Sequence, residues 1–377
     1  MTRAETDARA SLPILRRLLA DRPDAAVLWR DIGLLVHSAV ALARSVALGS
    51  DDSDVLGGIA AAMLADGRHR RAGRLLRRGL TLSPGRADLW QLASQQAYCV
   101  RLPEAAIRFA GRALAYDRSF SAAQRALAFG RLLGGDLARG FAALGVRFRE
   151  IPAVPLPLWT GERLAGRSLL VVGEEGFGDM IQMARFLPVL AGRGARVTAV
   201  VPAELRRLFS SLDGVTVAVD ASPEAHNFWI PMMAVPEALG IDVVDDRPYL
   251  ATPASGPRLE ASDDLTVGVA WRGRASHPND SWRSFDPGSL ADILATRGIR
   301  FVALDPEAGS SATMSVPLTD FADTAFVMRQ LDLVIAVDTA AAHLAGALGV
   351  PTWVLLADVP EWRWGAAGDR KSTRLNS

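Results

Sequence analysis

Two aspartates in this chain stand where an apolar run gives way to small residues, and each could do chemistry there. The first closes Val172-Gly173-Glu-Glu-Gly176-Phe-Gly178-Asp179. Glycines at a strand-to-helix turn let the backbone approach a ligand closely, and free N–H groups at a helix start favour anions. Asp179 at such a start can simply cap the helix. It can also act as a general base at the mouth of a cleft, taking the proton from an acceptor hydroxyl. The second lies in Asp332-Leu-Val-Ile-Ala-Val-Asp338-Thr339-Ala340-Ala-Ala-His343-Leu-Ala-Gly-Ala-Leu-Gly349. Here a buried run delivers Asp338 and Thr339 to a start made of alanines, whose donors suit a pyrophosphate or a sugar. His343 follows four residues after Thr339, about one turn further on the same face. Capping is the competing role for Asp338 and Thr339.

Strands must deliver both motifs, and the spacing supplies them. Apolar runs at 168–172, 196–201 and 215–219 alternate with helical stretches at 179–191 and 202–212. A second series begins near Leu265, with runs at 266–271, 300–304, 333–337 and 352–356 and helices at 322–330 and 339–348. This alternation predicts two successive parallel, Rossmann-like units, with ligands at the carboxyl ends of their strands.

Upstream the pattern is helical. Residues 53–86 and 87–120 align without gaps at a ~34-residue period, pairing Leu56 with Trp90, Ala72 with Ala106, Leu76 with Ala110 and Leu80 with Leu114. A third unit keeps the register through Leu127, Gly135, Gly140, Leu144 and Phe148, and an irregular one precedes, opening at Trp29. Ala72, Ala106 and Gly140 are the small residues expected where paired helices cross. Gly67, Arg101 and Gly135 fall in the turns, and Pro84 closes a repeat. The stretch resembles tetratricopeptide repeats over residues 20–150, which implies a groove for a peptide or protein or, alternatively, a spacer or dimerisation element. His37, His69 and Cys99 are expected to be ordinary helix residues.

Composition narrows the class. The net charge is +1, which gives no case for nucleic acid or an anionic membrane surface. Cys99 is the single cysteine, so an intrachain disulfide and a multi-cysteine metal site are excluded. The N-terminus has no signal-like apolar stretch. The run 34–48 is broken by His37, Ser38 and Arg44 and is too short to span a bilayer, so a cytoplasmic protein without a transmembrane segment is expected. Lys371 is the only lysine. It sits in Asp369-Arg-Lys-Ser-Thr-Arg-Leu-Asn-Ser377, which matches the translation of a common sequencing adapter, and 369–377 is read as a non-natural scar.

The two aspartate motifs, with Phe186-Leu-Pro188, resemble the heptosyltransferase-like (family 9) glycosyltransferases, in particular tetratricopeptide proteins of bacteria that bear such a domain. Trp159-Thr-Gly161-Glu162, Val267-Gly-Val-Ala-Trp271, Arg300-Phe-Val-Ala-Leu304, Leu318-Thr-Asp-Phe-Ala-Asp-Thr324 and Pro360-Glu-Trp-Arg-Trp364 fit as well. The resemblance covers about 159–366. It implies an α + α/β chain: a tetratricopeptide solenoid, then two Rossmann-like units in a GT-B arrangement, the second truncated at its C-terminus. The implied boundaries are repeats at 1–150, a Pro-rich linker at 151–165, Rossmann-like units at 166–250 and 265–368, and a connector at 251–264.

The resemblance further implies an inverting sugar transfer from a nucleotide-sugar donor to a protein or glycan acceptor recruited by the repeats, with no obligatory metal or other cofactor. Asp179 would be the catalytic base. Gly176, Gly178, Trp271, Arg272, Arg283, Asp338, Thr339, Ala340 and His343 would bind the donor, Arg272 or Arg283 neutralising the leaving pyrophosphate. Heptosyltransferases place a lysine in the loop after Trp271, where this chain has none. His277, Asn279 and Asp280 would shape that loop or form a solvated turn. In GT-B enzymes a final helix crosses back onto the first Rossmann-like unit, and the scar after Gly368 leads to the expectation that this closure is absent. Two other readings stand beside this one: a non-catalytic scaffold that binds a nucleotide or sugar, and a sugar-nucleotide epimerase of the same architecture.

Overall fold

The computed structural model describes residues 3–36, 38–145, 154–273, 284–285, 287–305, 313–357, 359 and 361–365. His37, Arg283, His277, Asn279, Asp280, Pro360 and the 369–377 tail lie outside the described residues, as does the start of the expected linker. The chain divides into two compact units, 1–146 and 147–377.

The first unit is helical: α1 (Arg3–Asp21), α2 (Ala26–Leu35), α3 (Ala39–Ala47), α4 (Ser53–Ala65), α5 (His69–Leu82), α6 (Ala87–Cys99), α7 (Pro103–Tyr116), α8 (Ser121–Leu133) and α9 (Leu137–Leu144). The first helices of three repeats start at Ser53, Ala87 and Ser121, 34 residues apart, while the α2–α3 pair is shorter, as the irregular first repeat required. Ala72 and Ala106 are fully buried at the crossings. A Cβ on Gly140 would stand 2.5 Å from Leu132, so a larger residue there would force the helices apart. Gly67, Arg101 and Gly135 adopt left-handed φ values of 75°, 61° and 83°, the conformation that turns the chain between paired helices. The indole of Trp90 donates to Pro84 O at 2.8 Å, and Trp29 does the same to Pro23 O, so both Trp-led repeats close their loops alike.

The second unit holds two parallel sheets. In the first, β1 (Ser168–Val172), β2 (Arg196–Val200), β3 (Val215–Ala218) and β4 (Phe228–Pro231) lie in the order β3-β2-β1-β4. In the second, β5 (Leu265–Ala270), β6 (Ile299–Ala303), β7 (Leu333–Val337) and β8 (Thr352–Leu355) lie in the order β6-β5-β7-β8. Crossovers include α10 (Phe177–Met183), α11 (Leu187–Gly192), α12 (Ala203–Phe209), α13 (Val235–Leu239), α14 (Ala291–Leu294), α15 (Phe321–Met328) and α16 (Ala340–Leu348). One buried apolar cluster joins the halves, from Leu169, Ile181 and Leu205 to Ala322, Val334 and Leu344.

Three features differ from the sequence reading. Strand β4 is additional; its four residues, between Pro223 and a terminal proline, are too short for a periodic signal, and Asn227 registers it by accepting from Ser168 N at 2.9 Å. The helix expected at 179–191 starts at Phe177 and breaks into a 3-10 turn at 184–186, because Pro188 has no N–H to continue the preceding helix and fits only in the first turn of the next. Residues 157–164, expected within a linker, pack onto the first sheet: Trp159 N donates to Trp229 O at 2.9 Å, and Trp159 and Leu164 enter the core.

Candidate functional site

The first sheet switches direction between β1 and β4, the second between β5 and β7, and the candidate residues gather at the carboxyl ends of these strands. After β1 the chain turns through Glu175, whose φ is 68°. Glu174 there accepts from the N–H groups of Met232 (2.8 Å) and Met233 (3.0 Å), tying the β1 and β4 ends together. Gly176 precedes α10, and Asp179 lies in its first turn, accepting from Gly176 N at 3.2 Å through Oδ2. Asp179 therefore does cap its helix, with one oxygen.

The other oxygen, Oδ1, pairs with Arg363. Arg363 lies in a 3-10 turn, Trp362–Trp364, and its side chain is 5% exposed. Its Nε donates to Gln182 Oε1 at 2.6 Å, and its Nη1 pairs with Glu361. This 3-10 turn thus reaches the first Rossmann-like half, while any final helix crossing back would lie outside the described residues. Sequence reasoning left Arg363, Gln182, Glu361 and Trp364 without roles. The available signals were Gln182 three residues after Asp179 on one helical face, and two tryptophans flanking an arginine.

On the other half, Asp338 follows the end of β7, and Thr339 precedes α16 without capping it, since its hydroxyl donates to Val337 O at 3.2 Å. The first N–H groups of α16 therefore receive no cap from that side chain. His343 is buried, with Nε2 3.8 Å from Asp338 Oδ1, beyond hydrogen-bond length, and its ring is stacked on Trp364 at 6.0 Å. Nδ1 of His343 and Nε1 of Trp364 are buried without a hydrogen-bond partner. Burial, reinforced by the nearby Arg363 cation, pushes the His343 pKa down to about 4, so the ring is neutral at pH 7.

The two motifs meet. A Cβ on Gly178 would lie 2.8 Å from His343 Cδ2 and 3.4 Å from Ala340 Cα, so the missing side chain lets the first turns of α10 and α16 touch. Asp179, Gly178, Ala340, His343 and Asp338 thus form one constellation, with Gly176 exposed beside it. Trp271 contributes no indole surface. It is 1% exposed and packs with Val267, Val269, Leu294 and Phe301 in a small buried cluster separate from the one that joins the halves. Arg272 stands exposed at the end of β5.

Glycosyltransferase family 9 (heptosyltransferase) matches residues 303–376, which include α16 and Arg363. Protein FlbA of Caulobacter vibrioides is 25% identical over 398 residues, covering 92% of this chain and 62% of that protein. The chain therefore spans about three fifths of that relative's length. Among solved structures, a mutant O-GlcNAc transferase of Thermobaculum terrenum is similar at 15% identity and TM-score 0.32, covering 93% of this chain and 83% of the other. The heptosyltransferase WaaC of E. coli with ADP is similar at 14% identity and TM-score 0.34, covering 53% and 94%. The chain thus joins 34-residue helical repeats to two parallel sheets, and its residues 303–376 match glycosyltransferase family 9 (heptosyltransferase).

Proposed function

We propose that this domain transfers a sugar, with inversion, from a nucleotide-sugar donor to a protein or glycan acceptor that the repeats recruit. Asp179 takes the proton from the acceptor hydroxyl as the bond to the sugar forms, and the nucleotide leaves with its diphosphate at the start of α16. The observation that carries this reading is the Gly178–His343 approach, which puts a carboxylate 26% exposed beside a helix start that the Thr339 side chain does not cap. Neutral His343, stacked on Trp364, and the alanine-lined turn suit a sugar diphosphate. Arg272 and Arg283 supply the cationic counterpart of the leaving group, a role that needs no metal in this scheme. Among the described residues no helix is long and apolar enough to cross a membrane.

A thermal-shift panel of UDP-, GDP-, ADP- and CMP-sugars identifies the donor, and a rise in Tm with one of them is expected. Asp179→Asn should abolish transfer while donor affinity stays within a few-fold, and intact transfer would remove Asp179 as the base. Asp338→Ala should weaken donor binding by tenfold or more. Silence across the whole panel would favour a scaffold over an enzyme.

A further inference from the structure

We propose that Arg363 is the positioning residue of the Asp179 base: a buried cation that reaches from the second Rossmann-like half and fixes the carboxylate of the first. The inference rests on the reading of Asp179 as base. All three guanidinium nitrogens are engaged, Nε by Gln182, Nη1 by Glu361 and Nη2 by Asp179, and the plane lies 4.5 Å over the Trp362 ring. Asp179 and Gln182 are three residues apart on α10 and so face the same way. A single planar fork therefore reads both and sets the rotation of the helix start, which a lysine's point charge cannot do.

The carboxylate is held at both ends, Oδ1 by Arg363 and Oδ2 by Gly176 N–H. An ionised carboxylate offers about four lone-pair sites, so two remain to accept a proton from a hydroxyl. Stability does not account for the arrangement. A buried ion pair gains little over a well-packed apolar residue, because both charges must be stripped of water. Arg363 also faces more than its partners need: besides Glu361 and Asp179, Asp338 acts on it from β7, and its own charge acts on His343. One cation thus organises the groups of both halves that surround the expected reaction.

The test uses the full chain and reads nucleoside diphosphate released from UDP-, GDP- and ADP-sugars. Arg363→Ala should lower kcat 100-fold or more with the donor KM within threefold, and Arg363→Lys should fall between it and the parent. Methylguanidinium at millimolar concentration should restore Arg363→Ala at least tenfold, a rescue that a purely structural loss would not show. A kcat within threefold of the parent, or an increased kcat, would overturn the proposal; an increase would mean that the cation masks the base. If Arg363→Ala does not fold, Gln182→Leu decides: a five- to tenfold loss of kcat is expected, and no loss overturns it. Asp179→Asn combined with Arg363→Ala should be no slower than Asp179→Asn alone. Full activity of Asp179→Asn would sink the base reading itself, and no release by the parent chain from any of the three donors would sink both.

Discussion

His343 shows how much a single side chain owes to its surroundings. Arg363 and Arg185 disfavour its charged form, Asp179 and Glu361 favour it, Asp338 stands 3.8 Å away, and burial outweighs the rest. An unfolded histidine takes up a proton near pH 6.5, whereas the native ring resists until about 4. The unfolded state thus binds more protons in that window. Stability held above pH 6.5 is lost as the pH falls towards 4, by up to about 1.4 kcal/mol per pH unit from this group. His343→Asn should therefore flatten the dependence of urea stability on pH between 6.5 and 4.5, and an unchanged slope would contradict the burial. Cys99 responds to burial in its own way: its thiol is pushed up to about 11, which keeps it unreactive, in line with an ordinary helix residue.

At the scale of elements, the repeat turns carry the clearest test. Gly67, Arg101 and Gly135 share one left-handed conformation, yet only the arginine bears a Cβ, and in that region a Cβ costs roughly 1 kcal/mol. Arg101→Gly should raise stability by up to about 1 kcal/mol, reduced by whatever contacts the side chain gives up. Gly135→Ala should lower it by about the same, since a Cβ there meets nothing within 4 Å and the cost is conformational. Chemical unfolding measures both, and equal stability of all three proteins would refute the common turn. These turns were legible because a 34-residue period repeats its punctuation. Strand β4 and the break before Pro188 were less so: one is four residues long, and the other interrupts an otherwise helical pattern.

At the scale of the whole second unit, two ion clusters and one glycine among the described residues join the Rossmann-like halves. On the outside, Arg207 of α12 donates to Asp320 at 2.9 and 2.7 Å and pairs with Asp323, where the guanidinium and the Thr319 hydroxyl hold that carboxyl below its usual range despite burial. Arg207 is 43% exposed, so Arg207→Ala should cost no more than about 1 kcal/mol, seen as a small shift in Tm. Gly178→Ala acts where there is no slack. Its Cβ would press on the His343 ring, and overpacking of this kind costs about 1–3 kcal/mol. It should weaken donor binding tenfold or more in titrations that leave Arg207→Ala near the parent. Equal affinities would show that the two helix starts need not touch.

The sequence by itself determined the helical period, the residues at its crossings and turns, the alternation of strand and helix, and both aspartate motifs at the ends of strands. These are local: each is written in spacing, and spacing survives whatever the neighbouring elements do. Only the tertiary structure decided that Trp271 is core and not surface, that Gly178 serves a helix contact, and that Arg363 reaches back 184 residues to Asp179. Burial and long-range pairing depend on which faces two distant elements turn towards each other. No periodicity in the chain records that.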